Sequence, residues 1–212
     1  MQLLTNPDEL LLRLLPRLGP DLAVFFDFGN VLGRYSFAAL RKLLAEKTGI
    51  TEAEVRGRMV EYTHWYGYHL GKVSTEEFYS RALLRLELDM PLDEFIQLNV
   101  DVYSPPDRTI GVVHAVKPHC HSVNMLSNNN EAHASHVRRT YPQLFVPFDQ
   151  VLMSHEIGHF KPEHSCFKYC QELMPGANRF LLVDDMLTNV RGAQECGWEV
   201  CWYNCDPQAD VW

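Results

Sequence analysis

The sequence of 212 residues predicts an α/β fold built on a doubly wound parallel sheet of about five strands, with a helical subdomain inserted early in the chain. Three observations lead to this prediction. The unbroken apolar run 22–26 is typical of a strand that is covered on both faces, as in a parallel sheet between helices. From residue 122 onward, strand-like and helix-like segments alternate. Between these parts, residues 36–103 show helical patterns without a convincing strand.

Residues 1–20 predict an N-terminal helical extension. Leucines from Leu10 to Leu18 recur at helical spacing with arginines between them, and Gly19-Pro20 ends the pattern. We expect this helix to pack on the domain surface or on a second subunit, and to carry no chemistry.

The strand 22–26 leads directly into Asp27. Ligands of parallel sheets bind at the carboxyl ends of the strands, so Asp27 should lie at the mouth of a site. A carboxylate there can attack phosphorus or hold a metal ion. An aspartate that only caps the following turn is the simpler alternative.

Residues 36–103 predict a helical cap over that site. Thr51 to Glu54 and Ser74 to Glu77 both match the capping box that begins a helix. Closure of such a subdomain would exclude water from the chemistry.

The cap segment 61–69 is rich in aromatic side chains with polar tips, which suit a sugar or aromatic face. We therefore predict that His64, Trp65 and Tyr68 bind substrate. The alternative is that these aromatic residues form the cap core or a dimer contact. Arg34 and Tyr35 follow Asp27 closely enough to reach the site as well.

Pro105-Pro106 marks the return of the chain to the sheet. A helix from about Asp107 to Val116 precedes four further strands, predicted at 122–126, 151–153, 180–183 and 200–203. Their alternation with helices implies right-handed βαβ units. Residues 21–35 and 104–212 are thus predicted to form a Rossmann-like catalytic core.

Two of these strands are followed by residues that can hold an anion. Ser127 and Asn128 place a hydroxyl and turn amides at one strand end, although both residue types also favour turns for local reasons. Lys161 precedes Pro162, which fits a first helical position, so the lysine charge opposes the helix dipole. This placement suggests pairing with phosphate or a carboxylate; a plain surface lysine is the alternative.

Asp184 and Asp185 end the next strand side by side. Two adjacent carboxylates repel each other unless a cation or Lys161 compensates. Together with Asp27 they make an oxygen-rich site of the kind that Mg²⁺ prefers. A helix N-cap would explain one of the two acids but not both.

Taken together, these residues resemble a known family. Asp27-Phe28-Gly29-Asn30-Val31, Ser127, Lys161-Pro162 and Asp184-Asp185 occur in the order and spacing of the four motifs of the haloacid dehalogenase-like (HAD) hydrolase superfamily. The resemblance spans residues 22–205. The motif variant is similar to the group of bacterial sugar-1-phosphate phosphatases and the phosphatase domain of soluble epoxide hydrolase, and the inserted helices resemble the C1 cap of that superfamily.

The resemblance implies a role for each residue. Asp27 would be the nucleophile that forms an aspartyl-phosphate, and would bind Mg²⁺ with Asp185 and the Gly29 carbonyl. Ser127, the Asn128 amide and Lys161 would bind the transferring phosphoryl group, with Lys161 and Ser127 contributing to catalysis. Asp184, paired with Lys161, and Asn189 would contact the residues around the metal ion and not the ion itself.

Gly29 departs from the pattern, because most phosphatases of the superfamily carry a second aspartate there as general acid and base. Loss of such a group typically costs roughly 10²–10⁴-fold in rate. The leading hypothesis is a Mg²⁺-dependent phosphomonoesterase for a small phosphorylated metabolite such as a sugar phosphate, with a leaving group that departs readily. A 2-haloacid dehalogenase and a phosphate- or partner-binding module with little catalysis are the alternatives.

Composition narrows the partners and the setting. The net charge of −8 leaves no basic stripe for nucleic acid, and no apolar run approaches membrane-spanning length. The N-terminus lacks a basic leader, so we expect a cytoplasmic protein. We also expect it to be a monomer or a homodimer. The six cysteines lack a secretory context, and neither Cys166/Cys170 nor His119-Cys120-His121 has a second ligand pair for zinc.

Overall fold

The structure is a computed structural model, and it describes residues 1–60, 62–106 and 108–207. The strands are β1 (Leu22–Phe26), β2 (Gly33–Tyr35), β3 (Tyr103–Pro106), β4 (Ser122–Ser127), β5 (Gln150–Met153), β6 (Arg179–Asp184) and β7 (Glu199–Trp202). Five of them form a parallel sheet in the order β5-β4-β1-β6-β7, which confirms the predicted doubly wound sheet. β1 lies at its centre.

The helices are α1 (Pro7–Leu14), α2 (Ala38–Thr48), α3 (Glu52–Met59), α4 (Tyr62–His69), α5 (Thr75–Leu86), α6 (Leu92–Val100), α7 (Thr109–Val116), α8 (Glu131–Thr140), α9 (Ser154–Ile157), α10 (His164–Glu172) and α11 (Leu187–Glu195). None of the helices in the described part of the chain is long and apolar enough to cross a membrane. The predicted helix start at Asp107, residue 61 of the aromatic segment and residues 208–212 of the predicted core lie outside the described residues.

Helices cover both faces of the sheet, which explains the unbroken apolar run of β1. Val24 and Phe26 pack into one apolar cluster with residues of α1, α7 and α8, whereas Ala23 and Phe25 pack into a second cluster with α10 and α11. Successive side chains of a strand point to opposite faces, so every position of β1 must be apolar. All five β1 residues are fully buried.

The N-terminal helix α1 packs on this core. Leu10 and Leu14 are completely buried in the same cluster as α7, while Leu12 stays 70% exposed. The helix ends at Leu14, before the last leucine of the predicted pattern, because the chain tightens into a 3₁₀ turn at Leu15–Arg17 that contains Pro16.

Helices α2 to α6 form a separate apolar cluster, which includes Leu44, Val55, Phe78 and Phe95. They are the cap of the fold, inserted between β1 and β4. The capping box at Thr51 is present, with reciprocal bonds to Glu54. The boundaries 36 and 103 stay a prediction.

A short ribbon joins the cap to the core. β2 and β3 pair antiparallel, with Tyr35 opposite Tyr103. The expectation of no strand within 36–103 was therefore wrong at its last residue. The ribbon is too short to show an alternating pattern, and prolines at 105 and 106 argue against a strand unless it lies at an edge.

Candidate active site

The candidate site lies where β1, β4 and β6 end at one edge of the sheet. Asp27 directly follows β1, and its backbone N–H donates to the Val183 carbonyl of β6 at 2.8 Å. Ser127 and Asp184 are the last residues of β4 and β6. The parallel register thus brings together groups that are about 150 residues apart in sequence, as expected for the carboxyl ends of such a sheet.

Three carboxylates form a cluster at this edge. Asp27, Asp184 and Asp185 each offer an oxygen, and these oxygens lie within 4.8 Å of one another. Burial, opposed in part by the Lys161 charge, raises the pKa of Asp27 to about 6. Burial, followed by the charges of Asp27 and Asp184, raises the pKa of Asp185 to about 8. A buried set of hard oxygen donors with this much mutual repulsion fits a divalent cation such as Mg²⁺.

Lys161 is buried between two of these carboxylates. Its Nζ lies 2.9 Å from Asp27 Oδ1 and 2.6 Å from Asp184 Oδ2, and it donates to the Leu126 carbonyl at 2.6 Å. Burial disfavours the charged ammonium, but the charges of Asp184 and Asp27 outweigh it and hold the pKa of Lys161 above its ordinary value. The three contacts match the three ammonium hydrogens, so Lys161 acts as a fixed cation within the protein.

The backbone of Lys161 is held by Asn128. The Asn128 side chain accepts from the Lys161 N–H at 2.8 Å and donates to the Lys161 carbonyl at 2.7 Å. Behind this loop, Gly192 of α11 packs so closely that a Cβ there would lie 2.7 Å from the Pro162 carbonyl oxygen. The end of β4 and the loop of Lys161 are therefore joined, and the absence of a side chain at Gly192 makes the close packing possible.

Asp184 is satisfied by the protein itself. Asn189 Nδ2 donates to Asp184 Oδ1 at 3.0 Å, and the Met186 N–H donates to the same oxygen at 2.9 Å. Its other oxygen, Oδ2, accepts from Lys161 Nζ, and the side chain is fully buried. Both oxygens of Asp184 therefore bind protein groups. Within the cluster, Asp184 thus contacts Lys161, the Met186 N–H and Asn189.

Asn30 is a site residue to which the sequence analysis gave no role. Its Nδ2 donates to Asp185 Oδ2 at 3.2 Å, and its Oδ1 accepts from the Tyr35 N–H at 3.0 Å. Its backbone is left-handed, with φ of 54°, a conformation that asparagine tolerates better than most residues. The turn-forming Asn30 after Gly29 was the available signal.

A cavity of about 330 Å³ lies between the sheet edge and the cap helices. Of the predicted site residues, the cavity is lined by Asp27, Gly29, Trp65, Ser127, Asn128, Lys161, Asp185 and Asn189. Ser127 is 4% exposed and lines this cavity at the end of β4, so its hydroxyl can donate to a ligand.

His64 and Tyr68 were predicted to bind substrate, and the structure does not bring them to the cavity. His64 pairs with Arg81 instead. Tyr68 is 1% exposed, and its ring stacks on Phe78 at a centroid distance of 4.5 Å. Trp65 thus lines the cavity, whereas Tyr68, three positions later on α4, packs inside the cap.

The cavity also has walls that the sequence did not indicate. His69 and His133 line it, and burial lowers their pKa values to about 4 and about 3, so both imidazoles are neutral. Phe160 contacts Trp65 edge-on at 5.7 Å. His69 lay in the aromatic segment 61–69, whereas nothing in the local pattern marked His133.

Comparison with known proteins found similar sequences, although no family model matches the chain. A protein named as a HAD-hydrolase, YfnB of Bacillus subtilis, is 31% identical over 86 residues, which cover 39% of this chain and only 37% of that protein. The pyrimidine 5'-nucleotidase YjjG of Escherichia coli is 24% identical over 193 residues, or 85% of each chain.

Solved structures share the fold. A HAD family enzyme of Bacteroides thetaiotaomicron superposes with a TM-score of 0.74 at 18% identity, covering 84% of this chain and 91% of that one. Its complex with magnesium and inorganic phosphate gives 0.71 at 17% identity, with the same coverage. An L-2-haloacid dehalogenase of Xanthobacter autotrophicus, with chloropropionic acid covalently bound, gives 0.58 at 17% identity, covering 84% and 75%.

Proposed function

We propose that the chain is a member of the haloacid dehalogenase-like (HAD) hydrolase superfamily, and that it is a Mg²⁺-dependent phosphatase that hydrolyses small phosphate monoesters through a covalent phosphate on Asp27. One observation supports this activity above others: the carboxylate cluster of Asp27, Asp184 and Asp185 around the buried Lys161. This cluster provides a cation site directly beside a candidate nucleophile.

Asp27, Asp185 and the backbone carbonyl of Gly29 would hold the ion. Bound Mg²⁺ would neutralise charge on the phosphoryl group and keep it in line with the nucleophile. Magnesium and phosphate in the Bacteroides complex support this assignment.

The side chains of the chain would then act as follows. The Asp27 carboxylate attacks phosphorus, and the adjacent Lys161 ammonium, 2.9 Å away, keeps that carboxylate ionised. The Ser127 hydroxyl donates to a phosphoryl oxygen from the end of β4. Because these groups are buried in a low-dielectric site, each contact contributes more than it would in water.

The two alternatives leave the cluster unexplained. A dehalogenase would use Asp27 to attack carbon and would need neither a cation nor the Asp184-Asp185 pair. A binding module would not need a buried lysine against the nucleophile.

The walls of the cavity support a narrower substrate class. Its cap side is mostly apolar and largely aromatic, formed by Phe37, Met59, Val60, Trp65, Phe78 and Tyr79 with the polar side chains of His69 and Asn99, and Phe160 of the core adds a further ring. Among the described lining residues Lys161 is the only cation, and it is already paired with two carboxylates. The substrate should therefore carry one phosphate group and an uncharged leaving group with a flat face. The nucleotidase activity named for YjjG supports including pyrimidine nucleoside monophosphates in the test.

The proposal is tested with purified protein and p-nitrophenyl phosphate. We expect phosphate release that needs Mg²⁺, stops with EDTA and is abolished in Asp27→Asn but unchanged in Asp93→Asn, an exposed control. Undiminished turnover in Asp27→Asn would contradict the mechanism, and chloride release from 2-chloropropionate without Mg²⁺ would support the dehalogenase. Phenyl phosphate should be hydrolysed faster than 4-carboxyphenyl phosphate, because the described residues of the cavity wall offer no unpaired cation to a second anion.

A further inference from the structure

Tyr35 occupies the space next to the position of the missing acid. Gly29 has no side chain with which to reach a leaving group. A Cβ built on Gly29 would lie 3.3 Å from Cδ2 and 3.7 Å from Cε2 of Tyr35. The tyrosine ring therefore fills the direction in which a side chain at Gly29 would extend.

The Tyr35 ring is held firmly in this place. Its backbone N–H donates to Asn30 Oδ1, and its ring contacts Tyr103 and His133 at centroid distances of 5.1 and 5.5 Å. Phe28 lies edge-on at 6.0 Å. A side chain packed on three sides keeps its hydroxyl in one position, as a catalytic donor requires.

The Tyr35 hydroxyl is buried at the cavity without a hydrogen bond to any described residue. It faces the Asn129 side chain and the Asp27 carboxylate. The contact with the Asn129 side chain lacks hydrogen-bond geometry. A buried hydroxyl without a hydrogen bond lowers the stability of the fold by roughly 1–3 kcal/mol. Binding of a ligand that accepts from Tyr35 would remove this cost.

The hydroxyl also keeps its proton. Burial raises the pKa of Tyr35 well above its ordinary value, and the nearby Asp27 charge adds to this effect. Near neutral pH, Tyr35 is thus a neutral hydrogen-bond donor.

We propose that the Tyr35 hydroxyl takes over part of the task of the missing aspartate, by donating a hydrogen bond to the oxygen that leaves phosphorus. This inference rests on the proposed phosphatase activity. As the bond from Asp27 Oδ to phosphorus forms, the bond from phosphorus to the leaving oxygen breaks and its electron pair stays on that oxygen. The Tyr35 hydrogen bond stabilises this charge, and water supplies the proton. Tyr35 would then be a catalytic residue.

The test compares leaving groups in Tyr35→Phe, which removes the hydroxyl and keeps the ring. Loss of a comparable buried donor lowers kcat by about 10²–10³-fold. We expect a loss of that size for alkyl phosphates, and a loss of less than about tenfold for p-nitrophenyl phosphate, whose leaving oxygen needs little help. A plot of log kcat/KM against leaving-group pKa, over a series of substituted phenyl phosphates, should be steeper than for wild type.

Tyr141→Phe is the matched control, because Tyr141 contacts the Tyr103 ring but does not line the cavity. It should follow the wild-type plot. Tyr35→Phe should also unfold at the wild-type temperature or above, since it removes a buried group without a protein partner.

Three results would overturn the inference: an equal loss for every leaving group, no loss for alkyl phosphates, or a melting temperature clearly below wild type. If instead the wild-type protein releases no phosphate from any ester, the proposed function itself fails, and this outcome is visible before any variant is made.

Discussion

The most informative single change is Lys161→Met, because Lys161 is the buried cation among three carboxylates. Methionine has similar length but no charge. The lysine side chain is 0% exposed and contacts Asp27 at 2.9 Å and Asp184 at 2.6 Å. Removing one partner of a buried ion pair typically costs about 3–5 kcal/mol, since the remaining charge is left uncompensated. For a chain of this size that loss corresponds to a fall in Tm of roughly 6–20 °C.

The assay is thermal unfolding with EDTA and with saturating Mg²⁺. In EDTA the full loss is expected, whereas Mg²⁺ should narrow the difference by supplying positive charge to the same cluster. Lys168→Met, an exposed change on α10, is the control and should unfold within about 0.5 kcal/mol of wild type. The double variant with Asp184→Asn should lose less than the sum of the single changes. If Lys161→Met in EDTA has the same melting temperature as the control, Lys161 does not stabilise the fold by neutralising Asp27 and Asp184.

Three further outcomes follow from the geometry. Gly192→Ala should destabilise the fold by about 1–3 kcal/mol through its contact with the Pro162 carbonyl, whereas Gly57→Ala, in open space on α3, should stabilise it slightly; urea unfolding measures both. Mg²⁺ binds ionised carboxylates, and the pKa of Asp185 is raised to about 8, so Mg²⁺ affinity should rise with pH up to about 8. Calorimetry in two buffers of different ionisation enthalpy would measure the released protons. A pH-independent affinity would contradict this expectation. Trp65→Leu should raise KM for phenyl phosphate more than for an alkyl phosphate, because it removes an aromatic wall of the cavity; equal changes in the two KM values would argue against stacking.

The sheet and its carboxylates could be predicted because both leave local signals. A strand buried on both faces must be apolar at every position, and 22–26 shows this directly. Asp27, Ser127 and Asp184 then come together because the carboxyl ends of all strands in a parallel sheet lie at one edge.

The walls of the cavity could not be predicted in the same way, because they depend on how the cap packs on the core. Trp65 and Tyr68 are three positions apart on α4, and the residue types alone do not tell which of the two lines the cavity. His133 reaches the cavity from α8, a helix with no motif of its own. Asn30 needed the position of Asp185, a residue 155 positions away, before its role was visible.

Tyr68 joins the cap to the core through a chain of hydrogen bonds. The Ala132 N–H of α8 donates to the Tyr68 hydroxyl at 3.1 Å, which contacts Thr75 Oγ1 at 3.1 Å, and Thr75 donates to Glu131 at 2.7 Å. Movement of the cap away from α8 would break this chain, and we expect its strength to limit the release of product. The turnover number for a fast substrate should then fall as solvent viscosity rises, and Tyr68→Phe should weaken that dependence while leaving the chemistry on a slow substrate unchanged.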